Sequence, residues 1–308
     1  MALGTSKRLT LGPVLFNWPV ETWRDFYYRV ADEAPVDRVY IGEVVCSKRA
    51  PLFRTCLPDV VDRLRNAGKE IVFSTLAEVV SGTDRKCLES VACAGDILIE
   101  ANDMSALWHL DGNPFIAGPY LNVYNEDTLE FLAGKGAVHV TLPPELPRSA
   151  IAALIEKAGE LKLTLEVQVH GRMPLALSAR CYHARAHGLN RDSCRYVCDR
   201  DPDGMLLRTL DGKPFLVING VQTLSYTCLN LVQEMNALAD VGVDAFRISP
   251  QSSGTVEAAR IFHCCLKGEM TADEALIRLG ETEFDAPFAN GFHHGAEGHH
   301  WRSVATVV

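Results

Sequence analysis

Three patterned segments follow one another in residues 38–74: RVYIGEVV at 38–45, PDVVDRLRNA at 58–67 and EIVFS at 70–74. The first and third are short and rich in β-branched residues, as buried strands are. The middle segment has a helical pattern and ends at Gly68, a frequent helix-stop residue. This region therefore predicts a strand–helix–strand unit of a parallel sheet.

The same alternation continues along most of the chain. Strand-like runs cover residues 9–16, 38–45, 70–74, 96–100, 115–117, 137–142, 163–170, 215–219 and 244–249. Helical patterns cover residues 21–34, 58–67, 125–133, 147–160, 223–241, 253–267 and 272–279. Strand–helix alternation repeated about eight times is typical of an α/β fold.

Two architectures fit this alternation, a closed eight-stranded barrel and an open doubly wound sheet. No strand-like run is followed by Gly-x-Gly-x-x-Gly or by a P-loop, which disfavours a nucleotide-binding open sheet. The repeat count and the length of 308 residues suit the barrel. We therefore predict one TIM-barrel-like (βα) repeat domain over residues 1–285.

Two regions interrupt the pattern. Residues 171–212 have no clear apolar period, hold three cysteines, and follow the end of the strand-like run 163–170. Loops this long inside a compact domain are usually functional or disordered, and this one is expected on the C-terminal face of the barrel, where active sites lie. Residues 286–308 are predicted to form an irregular, solvated tail. Its four histidines could bind metal adventitiously: His293, His294, His299 and His300.

The composition excludes some classes of protein. Thirty Lys and Arg residues against 39 Asp and Glu residues give a formal net charge of −9, which disfavours nucleic-acid binding. No apolar run reaches the roughly 18–20 residues that span a bilayer. The start of the chain does not read as a signal peptide. We therefore expect a cytoplasmic protein with no transmembrane segment.

The ten cysteines are too few for a disulfide scaffold, and a reducing cytosol disfavours disulfides. Buried thiols, a reactive thiol or metal ligands remain. Cys181, Cys194 and Cys198 lie among basic and polar residues of the long loop, and Cys46 ends the apolar run 39–45. Both segments follow strand ends, so the four thiolates are predicted to converge on one face of the barrel. Four thiolates suit zinc or a 4Fe–4S cluster, and ligands this dispersed fit the cluster somewhat better.

The other six cysteines are predicted to be structural. Five lie beside apolar residues in helical patterns and are expected to pack in the core: Cys87, Cys93, Cys228, Cys264 and Cys265. Cys56 has no decisive context, and we assign it a structural role.

Several polar residues follow or end strand-like runs and are expected at the same mouth of the barrel: Asn17, Glu43, Arg49, Glu100, Asn122, His170, Arg172 and Arg247. Arginine there could bind a carboxylate of a substrate, or could form a structural ion pair inside the barrel. The candidates for a catalytic role are His170, Arg172, Glu43 and Arg49.

Residues 166–181, EVQVHGRMPLALSARC, resemble the signature of the collagenase-like peptidase family: Glu, a hydrophobic strand, Gly, a first Cys, four residues, then Gly-Arg-Cys. The matching positions are Glu166, Gly171, Arg180 and Cys181. Pro174 replaces the first Cys of the signature, and Ala179 replaces its second Gly. LGPVLFNW at 11–18, YIGEVVCSKR at 40–49, HGRMPLA at 170–176 and the Cys181–Cys198 spacing resemble the branch of this family that acts in O2-independent ubiquinone biosynthesis. The resemblance extends to about residue 279.

The resemblance implies a barrel that holds a 4Fe–4S cluster on Cys46, Cys181, Cys194 and Cys198. It also implies a heterodimer with a paralogous UbiU-like subunit, and a UbiT-like lipid-binding protein in the same pathway. The implied activity is hydroxylation of the aromatic ring of small quinone precursors, with a prephenate-like hydroxyl donor. Two alternatives stay open: a collagenase-like peptidase, for which no nucleophile–base pattern is visible, and a non-catalytic iron–sulfur redox or scaffold protein.

Overall fold

The computed structural model describes residues 7–95, 97–284 and 286–303. The strands are β1 Arg8–Leu11, β2 Arg38–Ile41, β3 Glu70–Ser74, β4 Ile99–Ala101, β5 Phe115–Ala117, β6 Ala137–Thr141, β7 Thr164–Leu177, β8 Met205–Arg208, β9 Pro214–Asn219, β10 Gln222–Asn230, β11 Ala245–Ile248 and β12 Phe288–Ala289. The helices are α1 Val20–Glu33, α2 Ala50–Phe53, α3 Leu57–Asn66, α4 Gly82–Ala92, α5 Ala106–Leu110, α6 Glu126–Gly134, α7 Arg148–Leu161, α8 Tyr182–Ala186, α9 Met235–Val241, α10 Thr255–Leu266 and α11 Ala272–Gly280. Two 3-10 turns cover Pro119–Leu121 and Val197–Arg200.

Eight parallel strands close into a barrel in the order β1-β2-β3-β4-β5-β6-β7-β11. The last strand, β11, pairs with both β7 and β1, so that Ala245 lies opposite Glu166 on one side and opposite Arg8 on the other. Helices follow most of these strands and cover the outside. The predicted TIM-barrel-like α/β fold is therefore confirmed.

Side chains alternate between the two faces of the barrel wall, as the period of two in a strand requires. On β2, Val39 and Ile41 belong to the large core between the sheet and the helices. Tyr40, between them in sequence, packs instead with Val72 and Ile116 inside the barrel. The amphipathic helices supply the other half of the outer core, so the barrel wall is buried on both sides.

A charged network fills much of the barrel interior. Arg247 donates to Glu166 and, at 2.7 Å, to Glu100, and its guanidinium lies 3.9 Å from the centre of the Tyr40 ring. His139 Nε2 lies 3.1 Å from Glu166. Burial alone would raise the pKa of Glu166, but Arg247 and His139 outweigh it and lower that pKa. The ion pairing therefore keeps Glu166 charged inside the barrel.

The strand β7 is longer than predicted and leaves the barrel. Its second half pairs antiparallel with β10. On the other side of β10 the sheet continues with β9, which pairs with β8. Gly171 lies where β7 passes the rim: its φ is +107°, and a Cβ there would lie 2.6 Å from the Ser249 carbonyl oxygen. The predicted strand 215–219 therefore exists as part of β9, outside the barrel.

The predicted helix 223–241 is wrong over its first half. Residues 222–230 form β10, and a helix covers only Met235–Val241. Leu224, Cys228 and Leu231 have helical spacing, but Thr223, Tyr226 and Thr227 favour a strand. Pairing with the second half of β7 favours the strand over the helix at residues 222–230. The same pairing makes residues 171–177, which were predicted to belong to the loop, part of strand β7.

Two predicted boundaries lie outside the residues that the structure describes. Asp96, the first residue of a predicted strand, and Asp285, the predicted domain end, lie outside the described residues, as do residues 1–6 and 304–308. Within 286–303, the segment predicted as a solvated tail holds β12 and turns that pack on the barrel, and His293 is 4% exposed. In the described ranges, no helix is both long and apolar enough to cross a membrane.

Candidate functional site

The four cysteines predicted as ligands line one cavity. Cys46 lies on the segment that follows β2, and Cys181 precedes α8 after the end of β7. Cys194 lies in the loop after α8, and Cys198 lies in the 3-10 turn Val197–Arg200. The strand end of β2 and the segment that continues from β7 therefore bring residues distant in sequence to one place.

The six remaining cysteines lie outside this cavity. Cys228 is fully buried on β10, and Cys93 is exposed at the end of α4. The other four are half-buried on or beside helices: Cys56, Cys87, Cys264 and Cys265. Four cysteines therefore line one cavity and six lie outside it. The prediction that Cys93 packs in the core is wrong, because this residue is exposed at the end of α4, and Cys228 is buried on a strand instead of a helix.

The four thiols of the cavity are a donor set for a metal centre. In the part of the chain that the structure describes, no three of these sulfur atoms lie within 4.8 Å of one another. Four thiolates can bind a tetrahedral zinc ion with Zn–S bonds of about 2.3 Å, and they can also hold a 4Fe–4S cluster. The donor set therefore fits either group.

Two of the sulfur atoms accept hydrogen bonds. The Asn17 side-chain amide donates to Cys198 Sγ at 3.5 Å, and the backbone N–H of Ala184 donates to Cys181 Sγ at 3.4 Å. Donors aimed at sulfur stabilise a thiolate and tune the potential of a cluster bound to it. Asn17 was predicted at the barrel mouth, and it contacts this site directly.

Two of the cavity thiols, Cys46 and Cys181, have raised pKa values. Burial raises the pKa of Cys46, while Arg49 opposes the rise. Burial also raises the pKa of Cys181, and the Ala184 N–H opposes that rise. Both groups are therefore protonated thiols at neutral pH until a metal displaces the protons. This environment suits ligands better than an activated nucleophile.

Arg49 brings a fixed positive charge to the cavity. Its side chain is fully buried and donates to the Leu15 carbonyl oxygen at 2.9 Å and to the Asn219 side-chain oxygen at 3.0 Å. Burial alone would lower the pKa of Arg49, but Cys198 and Glu43 outweigh it and raise that pKa. A permanent cation here offsets the negative charge of four thiolates.

Lys48 ties the cysteine-bearing loop to the segment after β2. Its Nζ donates to the carbonyl oxygens of Arg191 and Asp192 at 2.6 and 3.1 Å. The Tyr196 hydroxyl in turn donates a hydrogen bond to the Lys48 carbonyl oxygen. Arg191 forms an ion pair with Asp84 at 3.0 Å. These contacts hold Cys194 near Cys46.

Glu43 is a positioning residue for Cys46. Its Oε1 accepts hydrogen bonds from the backbone N–H groups of Val45 and Cys46, both at 2.8 Å. Burial raises the pKa of Glu43, while Arg49 and these two N–H groups oppose the rise. The carboxylate therefore shapes the turn that presents the Cys46 side chain.

His170 and Arg172, the other catalytic candidates, do not line the cysteine cavity. His170 packs between the rings of Phe262 and Phe288, with Nε2 3.6 Å from Cys228 Sγ. Arg172 donates to the carbonyl oxygens of Ser225 and Tyr226, at 3.1 and 2.6 Å. The structure gives both residues packing roles where β7 meets β10.

Replacing His170 with phenylalanine is expected to reduce the dependence of stability on pH. Burial lowers the pKa of His170 from 6.5 to about 4. Between these values only the unfolded chain binds the proton, so the free energy of unfolding falls as the pH falls, by up to about 1.4 kcal/mol per pH unit for one group. Urea unfolding at about pH 7 and about pH 5 measures the difference. His299→Phe, at an exposed position, is the control, and equal pH dependence in wild type and His170→Phe would contradict this assignment.

The other three residues predicted at the mouth of the barrel, Glu100, Asn122 and Arg247, lie in two different places. Glu100 and Arg247 form the ion pair inside the barrel, which is the structural alternative raised for them above. Asn122 is exposed with a φ of +56° and ends the 3-10 turn Pro119–Leu121. None of these three lines the cavity of the four cysteines.

Sequence reasoning missed Asn219, which holds Arg49 and also donates to the Leu15 carbonyl at 2.7 Å. The sequence did contain a pattern that could have identified Asn219. Asn219 and Gln222 flank a two-residue turn whose first residue, Gly220, has a φ of +64°, and an Asn-Gly pair between β-rich runs indicates a hairpin. That hairpin places Gly220 and Val221 in the wall of the cavity.

Comparisons with known proteins find a matching sequence family and several distantly similar solved structures. The sequence profile of peptidase family U32 matches residues 27–302. Among solved structures, tryptophan synthase from M. tuberculosis in its aminoacrylate- and BRD0059-bound form is 10% identical, over 90% of this chain and 91% of that chain, with a TM-score of 0.40. N-acetylneuraminate lyase from Fusobacterium nucleatum, complexed with pyruvate, is 11% identical over 90% and 80% of the two chains, with a TM-score of 0.39.

An enolase from Agrobacterium radiobacter is 13% identical over 52% of this chain, with a TM-score of 0.35, and the match spans only 45% of that enolase. Structural likeness at this level carries no information about substrate. The family profile, by contrast, covers most of the chain and includes all four cavity cysteines.

Proposed function

We propose, from the premise that this chain belongs to peptidase family U32, that it is a UbiV-like member of that family and binds a 4Fe–4S cluster. With a UbiU-like partner it would be required for O2-independent hydroxylation of the aromatic ring of ubiquinone precursors. The observation that carries the proposal is the convergence of Cys46, Cys181, Cys194 and Cys198 on one cavity.

The surroundings of the four thiols support this assignment. Arg49 supplies a buried positive charge, and Asn17 and the Ala184 N–H donate to sulfur. Hydroxylation of an aromatic ring without O2 is a two-electron oxidation that needs an oxygen donor and an acceptor for the two electrons, and a bound cluster would supply one-electron transfer to or from the site. The chain's own residues hold the ligands in place, offset their charge and shield them from water on the barrel side.

Four protein ligands leave no iron of the cluster open to a substrate. The proposal therefore gives this subunit a role in electron transfer or in organising the heterodimer, and the ring chemistry is shared with the partner. Oxygen sensitivity follows, because a cluster in a partly open cavity is exposed to oxidation.

The family's name favours a second candidate, a peptidase. A thiol peptidase needs an activated cysteine within hydrogen-bonding reach of a histidine. His183 is the histidine that lines this cavity, and its Nδ1 has no hydrogen-bond partner among the described residues. The raised pKa values of Cys46 and Cys181 also disfavour a nucleophile there.

The proposed function is tested in a strain that lacks the gene for this chain. We expect ubiquinone to disappear under anaerobic growth and to remain under aerobic growth. Wild-type protein and the Cys93→Ser control, altered at an exposed thiol outside the cavity, should restore anaerobic ubiquinone, and Cys194→Ser should not. Unchanged ubiquinone in the deletion strain, or a loss under both conditions, would contradict the proposal.

A further inference from the structure

Three side chains beside the cysteine cavity face one another. His183, His187 and Asp201 each offer one ligand atom, and these atoms all lie within 4.8 Å of one another. His183 Nε2 lies 2.9 Å from Asp201 Oδ2, and the imidazole rings of His183 and His187 stack with centroids 5.8 Å apart and planes 18° apart. No other group of three such residues in the described ranges is this close.

Local structure explains this arrangement. His183 lies on α8 and His187 ends it, so that their four-residue spacing places both rings on one side of the turn. Asp201 ends the 3-10 turn that holds Cys198. His183 is buried, His187 is exposed and Asp201 is half-buried, so that the group is anchored on one side and open to solvent on the other.

We propose that His183, His187 and Asp201 bind one divalent transition-metal ion, Zn2+, at a site that adjoins the cavity of the four cysteines through His183 and uses none of the four thiols. Two imidazole nitrogens and one carboxylate oxygen are ligands that Zn2+ takes at about 2.0–2.2 Å, and three protein ligands leave a fourth position for water. The three atoms lie within 4.8 Å of one another, and tetrahedral bonds of about 2.1 Å would require them to lie about 3.4 Å apart. The site does not depend on the function proposed above.

The ion would act as a clasp on the cysteine-bearing loop. It joins the helix that follows Cys181 to the residue that ends the Cys198 turn, and the chain between His187 and Asp201 contains Cys194. Closing this loop lowers the entropy of its open states and so stabilises the arrangement of three of the four cysteines. The clasp is therefore structural, and its effect reaches the cysteine cavity through the loop.

The test is zinc binding by the anaerobically purified full-length protein. Wild type is stripped of loosely bound metal with a mild chelator, titrated with Zn2+ in a calorimeter, and analysed for bound metal after gel filtration. We expect His187→Ala and Asp201→Asn to bind about one zinc fewer per chain than wild type. The control is His299→Ala with His300→Ala, an exposed histidine pair in the C-terminal segment, and it should bind as wild type does.

A second measurement checks the clasp. Trypsin cleavage after the exposed Arg195 should slow when Zn2+ is added to wild type and should not change in His187→Ala. Equal zinc content in wild type and His187→Ala would overturn the site, as would zinc binding that is lost only in the His299→Ala, His300→Ala control. Iron content is recorded in every sample, so that a change at the four cysteines is distinguished from a loss of zinc at this site.

Discussion

The Cys46→Ser protein is expected to hold less than half of the wild-type iron after anaerobic reconstitution and to lose most of its visible absorbance. Cys46 is the ligand that the segment after β2 contributes, whereas the other three come from the region after β7. Without the Cys46 thiol, the remaining three ligands all come from the region after β7, and the segment after β2 contributes no ligand. Iron and sulfide analysis should give about four of each per wild-type chain, and electron paramagnetic resonance identifies the cluster type.

The Cys264→Ser protein is the matched control for this experiment. Cys264 is half-buried, as Cys46 is, but lies on α10 away from the cavity. It should bind iron as wild type does. Full iron and unchanged absorbance in Cys46→Ser would remove Cys46 from the ligand set. One zinc and no iron in the wild-type protein would overturn the cluster itself.

The Arg247→Leu protein is expected to be about 3–5 kcal/mol less stable to unfolding than wild type near pH 7. Arg247 bonds to Glu166 and Glu100 inside the barrel, where both carboxylates are at most 1% exposed. Without the guanidinium, Glu100 loses its cationic partner and Glu166 keeps only Arg38 and His139 nearby. The cost comes from leaving buried charges uncompensated, and urea unfolding measures it.

The pH dependence of the stability lost in Arg247→Leu shows whether the loss comes from uncompensated charge or from poorer packing. In wild type the pKa of Glu166 is lowered, so the stability that it contributes is present above its unfolded pKa and is lost as the pH falls. In Arg247→Leu, burial without the arginine raises the pKa of the Glu166 carboxyl relative to wild type, and protonation of this group relieves part of the penalty. The difference between the two proteins should therefore narrow from about pH 7 to about pH 5.

Arg260→Leu provides the comparison at the surface. Arg260 is 45% exposed and pairs with Glu33 and Glu257 at 3.1 and 3.3 Å. Its loss is expected to cost less than about 1 kcal/mol, since exposed ion pairs contribute little. If Arg247→Leu were no more destabilised than Arg260→Leu, or if the loss did not change with pH, the network would not be the electrostatic core described here.

The sequence predicted most barrel strands because their signal is local. Residues 70–74 and 115–117 were predicted at the bounds that the structure shows. The helix predicted over residues 125–133 covers Glu126–Gly134, and the Asn125 side chain accepts a hydrogen bond from the Thr128 N–H at 2.9 Å. These patterns depend on β-branched runs and capping residues, which act over a few residues and need no knowledge of the rest of the chain.

The sequence-based predictions were wrong where two segments distant along the chain pair with each other. Residues 222–230 carry both helical spacing and strand-forming residues, and only the free edge of β7 decides between them. The same pairing carries β7 past the barrel rim, and it moves His170 and Arg172 away from the mouth where strand order alone would place them. Propensity is a weak prior, and a long-range pairing partner overrides it.

The sequence by itself determined the alternation of strands and helices, because hydrophobic period and capping depend on neighbouring residues, and the repeat count favoured a barrel over an open sheet. It also singled out Cys46, Cys181, Cys194 and Cys198 by their positions after strand-like runs and among basic residues. Only the tertiary structure decided which polar side chains accompany them. Arg49, Asn17 and Asn219 meet at the cavity, whereas Arg247 and Glu100 meet inside the barrel. The physical reason is that a side chain's partner is set by the closure of the barrel and by the β7–β10 pairing, and both join residues that lie far apart along the chain.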